Sequence, residues 1–207
     1  MAKRPASRRK PNSGKGAGTL RIIGGDYRGR RLPIADLDGL RPTGDRQRET
    51  LFNWLQFELP AARVADLFAG TGALGLEAAS RGADEVWLIE THPGAVRALR
   101  EAAGLLQGPI QVQQADALQW VAQRAPASLD GVFIDPPFAA DLWQPVLDAL
   151  VASGCLKPGA FVYIESPKDR SLLPPEGWIS EKEKTSGDVT QRLWRLPRGL
   201  SDNSRLD

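Results

Sequence analysis

The sequence predicts an α/β protein whose mainly parallel sheet carries helices on both faces, and three observations support this. From Arg63 onward, short apolar runs alternate with longer amphipathic ones, the pattern of strands joined by covering helices. The first of these strands enters a glycine-rich turn, Asp66-Leu67-Phe68-Ala69-Gly70-Thr71-Gly72, and the second ends on an acid, Glu90. The last two runs, near 178–185 and 189–196, are parted by Ser186-Gly187-Asp188, a hairpin signal that adds an antiparallel edge.

In chain order, residues 1–18 hold Lys, Arg, Pro, Ser and Gly with hardly an apolar side chain, too little hydrophobic surface to offset ordering entropy, so a disordered basic tail is expected. A single domain is expected over 19–197, followed by a flexible tail over 198–207. Within the domain, LRII (20–23) and GRRLPI (29–34) flank GGDYR, which suggests a small basic hairpin or extension over 19–42. Thr43 is a candidate N-cap for a helix over about 45–57, with Leu51, Trp54 and Leu55 at helical spacing and Pro60 as the stop. Strands follow at 64–68, 85–90, 110–114, 130–135 and 161–165, with helices near 73–81, 93–106, 116–123 and 141–152.

Composition narrows the classes. The 207 residues suit one domain. No apolar run approaches the roughly 20 residues of a membrane span, and the basic N-terminus lacks an apolar segment after it, so a soluble cytoplasmic protein is expected. Cys155 is the only cysteine and His92 the only histidine, which excludes an internal disulfide and leaves no cluster of soft ligands, so no metal is expected. Residues 1–31 carry ten Lys or Arg against the single acid Asp26, whereas 32–207 carry 17 against 24. Such a basic head can neutralise phosphates and release counterions, giving sequence-independent affinity for nucleic acid.

The glycine turn spells G-x-G-x-x-G through Gly70, Gly72 and Gly75. In a doubly wound sheet such a loop lets the backbone approach a nucleotide-like ligand, while Glu90 at the second strand's end can accept ribose hydroxyls. The motif alone fits a nicotinamide dinucleotide as well as S-adenosyl-L-methionine. Asp66 beneath the loop tilts the choice, because a carboxylate repels a pyrophosphate and suits a positively charged methionine moiety. Asp116, after the third strand, can accept the amino group of an adenine, or cap the next helix, or both.

The fourth strand runs into Asp135-Pro136-Pro137-Phe138. Two prolines fix φ and remove two donors, so the chain leaves as a rigid turn with exposed carbonyls beside an acid. Such acceptors can grip an NH₂ group and stabilise the charge that develops on its nitrogen as it is methylated. Phe138 offers a flat face for an extruded base. The competing reading makes Asp135 a helix cap and Phe138 a core residue.

With these residues in hand, the chain resembles the bacterial family of 16S rRNA (guanine-966-N2)-methyltransferases, within the class I amino-methyltransferases. The likeness spans Leu20 to Trp194 and rests on LRIIGGDYRGRRL (20–32), LRPTGDRQRETLFNWL (40–55), DLFAGTGALGLEAASRGA (66–83), LIE (88–90) and IDPPF (134–138). It implies a Rossmann-like class I fold with a seven-stranded sheet in the order 3-2-1-4-5-7-6, the seventh strand antiparallel. It also implies S-adenosyl-L-methionine as cofactor and a guanine of 16S rRNA, in the small ribosomal subunit or an assembly intermediate, as target. By the same resemblance Asp66, Phe68, Gly70, Gly72 and Glu90 correspond to cofactor positions, with Thr43 and Arg46 as weaker candidates, and Asp135 through Phe138 to the catalytic turn. The basic residues Arg21, Arg28, Arg30, Arg31 and Arg41 are candidate RNA contacts, and a monomer is expected.

Four rivals fare less well. A nicotinamide-dependent dehydrogenase leaves Asp66, the DPPF turn and the basic head unexplained. A non-catalytic RNA-binding protein with an old Rossmann-like core has no need of Asp135 and Glu90. A DNA amino-methyltransferase usually carries a target-recognition region, for which this chain has no room. Methylation through a cysteine nucleophile finds only Cys155, in SGCLKPG, remote from the strand tips, and His92 is expected to be solvated.

Overall fold

The computed structural model describes residues 18–35 and 44–198. The expected tails lie outside the described residues except for Gly18 and Arg198, as do Arg41 and Thr43. Two short strands, β1 (Thr19–Arg21) and β2 (Arg31–Pro33), pair antiparallel. Helix α1 (Asp45–Trp54) follows, then β3 (Arg63–Asp66), α2 (Gly75–Ser80), β4 (Glu85–Glu90), α3 (Pro93–Leu106), β5 (Ile110–Gln114), α4 (Ala117–Ala122) and β6 (Leu129–Ile134). After a 3₁₀ turn at Phe138–Ala140 come α5 (Trp143–Ser153), β7 (Leu156–Pro167), β8 (Ile179–Ser186) and β9 (Val189–Arg195).

The seven strands β3–β9 form one sheet in the order β5-β4-β3-β6-β7-β9-β8, which is the class order 3-2-1-4-5-7-6. Strand β3 pairs in parallel with both β4 and β6, and β9 runs antiparallel between β7 and β8. The crevice between β3 and β6 is therefore the topological switch point, where open α/β sheets bind ligands beyond the strands' carboxyl ends.

Side-chain alternation along each strand divides the core in two. Val64, Val86, Leu88, Phe133, Phe161 and Tyr163 pack under α1, α2 and α3 with the hairpin residues Leu20, Ile22 and Leu32. Ala65, Ile89, Val132, Ile134, Val162 and Ile164 pack against Trp120 of α4 and Trp143, Val146, Leu147 and Leu150 of α5. Helix α3 shows why these elements form: Val96, Leu99, Ala102 and Leu106 fall on one buried stripe, Pro93 occupies the first turn, and Gln107 ends the helix in the left-handed region.

Element boundaries differ from expectation where packing intervenes. Gly44, not Thr43, is the N-cap of α1, and the Gln47 side chain reaches back to accept the Gly44 N–H at 3.2 Å. That helix stops at Trp54 rather than Phe57, its last N–H bond running from Leu55 to the Leu51 carbonyl, before Leu59 is drawn into the core and exposed Phe57 is left outside. Strand β7 starts five residues before the predicted Phe161 because Leu156 pairs with Leu129 across an irregularity in the register.

The hairpin is bound to α2 through its glycines. The Asp26 N–H donates to the Ser80 carbonyl at 2.7 Å and the Tyr27 N–H to Ser80 Oγ at 3.0 Å. Gly25 has φ +71°, and a Cβ there would lie 1.7 Å from the Ser80 carbonyl oxygen, so no side chain fits. Buried Arg48 of α1 completes the junction, bonding Asp45 Oδ1 at 2.6 Å and the Arg21 carbonyl at 2.9 Å, with Glu77 of α2 at 3.6 Å.

Candidate active site

The carboxyl ends of β3, β6 and β7 bring three acids onto one face of the sheet. Val64, Phe133 and Tyr163 face the core beneath α1–α3, and a period of two puts Asp66, Asp135 and Glu165 on the same face, one pleat further along. Register pairs Asp66 with Phe133 and Ile134 with Ile164, so Asp135 stands at the exit of the middle strand. Asp66 and Glu165 are buried, while Asp135 is half-buried at the mouth.

No cation among the described residues is ion-paired with any of the three. Burial pushes the Asp66 carboxyl up to about 7, helped by the charges of Glu90 and Glu165 and opposed by main-chain hydrogen bonds from Gly75 and Phe68. Burial first, then the charges of Glu165 and Asp66, holds Asp135 well above the usual carboxylate range. Glu165 is also raised by burial, with partial relief from the Tyr163 hydroxyl and the Gln191 amide behind it. A desolvated face with three proton-hungry acids is built to receive positive charge.

The glycine loop rises directly from this floor. Asp66 Oδ2 accepts the Gly75 N–H at 3.1 Å and so ties the loop's start to the first turn of α2. Gly70 and Gly72 have φ of +51° and +80°, and a Cβ on Gly72 would meet Leu76 and Leu99 at 2.7 Å. Glu90 clasps the other side: Oε2 accepts the Gly70 N–H at 2.9 Å and Oε1 the His92 N–H at 2.8 Å. An ionised carboxylate offers about four acceptor positions, so Glu90 keeps capacity for ligand hydroxyls while shaping the loop. Phe68 is half-buried on this loop.

At the Asp135-Pro136-Pro137-Phe138 turn, neither a helix cap nor a core aromatic is found. The Asp135 carboxylate caps nothing, since the 3₁₀ turn begins at Pro137 with no side-chain cap. Phe138 is 42% exposed rather than core, and its ring lies against buried Trp143 at 5.8 Å between centroids. Trp143 Nε1 in turn donates to the Glu165 carbonyl at 2.7 Å, so the aromatic face is backed by β7. One expected acceptor is partly used: the Pro137 carbonyl takes the Ala140 N–H at 2.9 Å, whereas the Asp135 carboxylate and the Pro136 carbonyl accept no hydrogen bond from the described residues.

With that geometry the chain matches the family described as Conserved hypothetical protein 95 over residues 20–195. It is 43% identical, over 198 residues, to ribosomal RNA small subunit methyltransferase D of Escherichia coli K12, an alignment that covers 94% of this chain and 98% of that one. The chain belongs to the small subunit methyltransferase D family. A family member from Haemophilus influenzae is 40% identical over 182 residues, covering 86% of this chain and 94% of its own. Among solved structures, one described as a methyltransferase from Escherichia coli superposes with a TM-score of 0.80 at 38% identity, covering 87% of this chain and 99% of the other.

The remaining sequence candidates fall in different places. Asp116 is exposed and caps α4, its Oδ1 accepting the Gln119 N–H at 3.0 Å. Arg46 is exposed on the first turn of α1, whereas Arg48 is the buried arginine of that helix. Arg21, Arg28, Arg30 and Arg31 are all exposed on the hairpin, with Arg21 paired to Asp45 at 2.8 Å and Arg30 lying over the Tyr27 ring. His92 is exposed and caps α3, its Nδ1 accepting the Gly94 N–H. Cys155 is buried just before β7, at the end of the sheet opposite the acids, and burial pushes its thiol up.

Sequence reasoning also missed Tyr163 and Glu165. The available signal was an acid ending an apolar strand, FVYIE, just as Glu90 and Asp135 end theirs.

Proposed function

We infer that this chain transfers the methyl group of S-adenosyl-L-methionine to an exocyclic amino group in 16S rRNA of the small ribosomal subunit, the N2 amine of a guanine of the 966 type. The observation that carries this reading is the Asp135–Phe138 turn at the switch point, beside a glycine loop floored by acids. The polymer is supported by relatives named for small subunit ribosomal RNA, and guanine by the resemblance of the motifs.

The residues suit a donor that carries positive charge on both sulfur and amine. When bound, S-adenosyl-L-methionine supplies an electrophilic methyl group. Asp66 and the main chain at Gly70 and Gly72 would hold its methionine end, Phe68 and Glu90 its ribose side, and Asp116 its adenine amine, with Arg46 and Thr43 closing from the segment before α1. Across the crevice, the Asp135 carboxylate and the Pro136 carbonyl accept the two hydrogens of the target NH₂. Holding both hydrogens turns the nitrogen lone pair out of conjugation and toward the methyl group, and the same acceptors stabilise the charge that appears on nitrogen. Phe138, backed by Trp143, stacks on the extruded base. Exposed Arg21, Arg28, Arg30 and Arg31, with Arg41, bind phosphates. We take the cytoplasm as its place of action and the monomer as its working form.

The test is incubation with labelled S-adenosyl-L-methionine and small-subunit particles lacking their own modification, followed by digestion to nucleosides. Label in N2-methylguanosine is expected; label in any other base overturns the assignment. Asp135→Ala should leave donor affinity nearly unchanged and slow transfer by a factor on the order of 10² or more, because its main interaction belongs to the transition state.

A further inference from the structure

The reading above uses Asp135 and leaves the acid beside it unexplained. Glu165 follows Ile164, the register partner of Ile134, so positions 135 and 165 are neighbours on adjacent parallel strands. Its side chain is buried and held from one side only. Tyr163 Oη donates to Glu165 Oε1 at 2.6 Å, and Gln191 Nε2 of β9 donates to Tyr163 Oη and to the Gln47 carbonyl of α1. From α5, Trp143 bonds only the Glu165 main chain.

The other charged groups around the pair add no compensation. Asp66 on β3 contributes a third acid, with Glu90 of β4 beyond it. Nearby cations are committed elsewhere: Arg48 of α1 to Asp45 and Glu77, Arg170 to Asp141, and Arg192 of β9 to Glu183 and Ser166.

Two adjacent carboxyl groups withdrawn from water do not ionise together cheaply, and they titrate as a coupled pair. The hydrogen bond from Tyr163 stabilises charge on Glu165, so Glu165 ionises first. Asp135 accepts no hydrogen bond from a described residue and faces the charge of Glu165, so it keeps the higher affinity for a proton. A base of raised strength grips an amine hydrogen more firmly as positive charge grows on the nitrogen.

We propose that Glu165, oriented by Tyr163, is a positioning residue that tunes Asp135 to take the proton released from the target amine. The role rests on the amino-methyltransferase reading. In the step, the sulfur–methyl bond breaks as the nitrogen–methyl bond forms, and the sulfonium becomes a neutral thioether. The proton of the now cationic amine passes to the Asp135 carboxylate and leaves through that residue's exposed side.

Two measurements test this. In the ligand-free protein, carbon-detected NMR of the carboxyl carbons should show the Asp135 midpoint falling by about one pH unit or more in Glu165→Gln, the scale of a like charge removed at close range. In single-turnover transfer to small-subunit particles lacking the modification, the acidic limb of the pH–rate profile should move down with it, and the plateau should drop about threefold, as expected for a weaker base. Tyr163→Phe, which withdraws the hydrogen bond that stabilises charge on Glu165, should move the limb the same way but less far, and Glu165→Asp, which keeps the charge, should restore the wild-type limb. An Asp135 midpoint that stays put in Glu165→Gln, or a plateau loss with no movement of the limb, overturns the proposal and leaves Glu165 a packing residue. If the midpoint moves but wild-type protein labels no such particles, the transfer reading fails and the proton role fails with it.

Discussion

Asp66 shows how one side chain can serve both stability and binding. Its folded pKa of about 7 lies above the ordinary 3.8, so its contribution to stability is complete below pH 3.8 and is lost as pH rises through 7. The ligand-free protein should therefore melt at a higher temperature at pH 5 than at pH 8, with about 2–3 kcal/mol at stake from this group over that interval. Asp66→Asn keeps an oxygen acceptor for the Gly75 N–H and should flatten that dependence; an unchanged slope in differential scanning calorimetry would remove Asp66 as its source. A cationic donor favours the ionised form, so its binding near pH 7 should release protons, visible as a buffer-dependent heat in titration calorimetry. Phe138 is tested by two substitutions. Leu keeps the apolar volume and discards the flat face over Trp143, and should cost about 1–3 kcal/mol of base stacking in transfer assays. Tyr should be tolerated, and equal behaviour of Leu and Tyr would make Phe138 a packing residue.

At the scale of elements, the hairpin depends on one close approach. Gly25 combines a positive φ with a Cβ position 1.7 Å from the Ser80 carbonyl, so Gly25→Ala strains the backbone and also forces the hairpin off α2. A loss of about 2–3 kcal/mol in denaturant unfolding is expected. Because the hairpin carries Arg21, Arg28, Arg30 and Arg31 on its strands and connecting loop, RNA affinity should fall while donor affinity stays. Unfolding indistinguishable from wild type would mean that the hairpin can shift without cost. The glycine pair in GGDYR was legible as a turn; its docking on the end of α2 was not, because Ser80 lies far away in sequence and contacts it only through the fold.

For the whole molecule, the division of charge makes a prediction that needs no side-chain geometry. Residues 1–17 hold six positive charges and no negative one, Lys3, Arg4, Arg8, Arg9, Lys10 and Lys15. Each that neutralises a phosphate adds about 0.7–0.9 to the slope of log affinity against log salt. Removing residues 1–17 should weaken binding to ribosomal particles at low salt, give a shallower slope, and converge with the full chain as salt rises. Fluorescence anisotropy at several salt concentrations reads this directly, and equal slopes would confine phosphate contacts to the hairpin and the body.

The sequence by itself determined the elements and much of the site, because both rest on local signals. Alternating apolar periods, the G-x-G-x-x-G turn, Glu90 at a strand end and the DPPF turn are all short-range patterns. The tertiary structure decided what depends on neighbours from other strands. It set Asp66, Asp135 and Glu165 side by side through the register of β3, β6 and β7, and it exposed Phe138 over Trp143. It also buried Arg48 where α1 meets α2. A carboxylate's proton affinity is set by burial and by charges that only folding brings near, which is why Glu165 could be read as the end of a strand but not as the partner of Asp135.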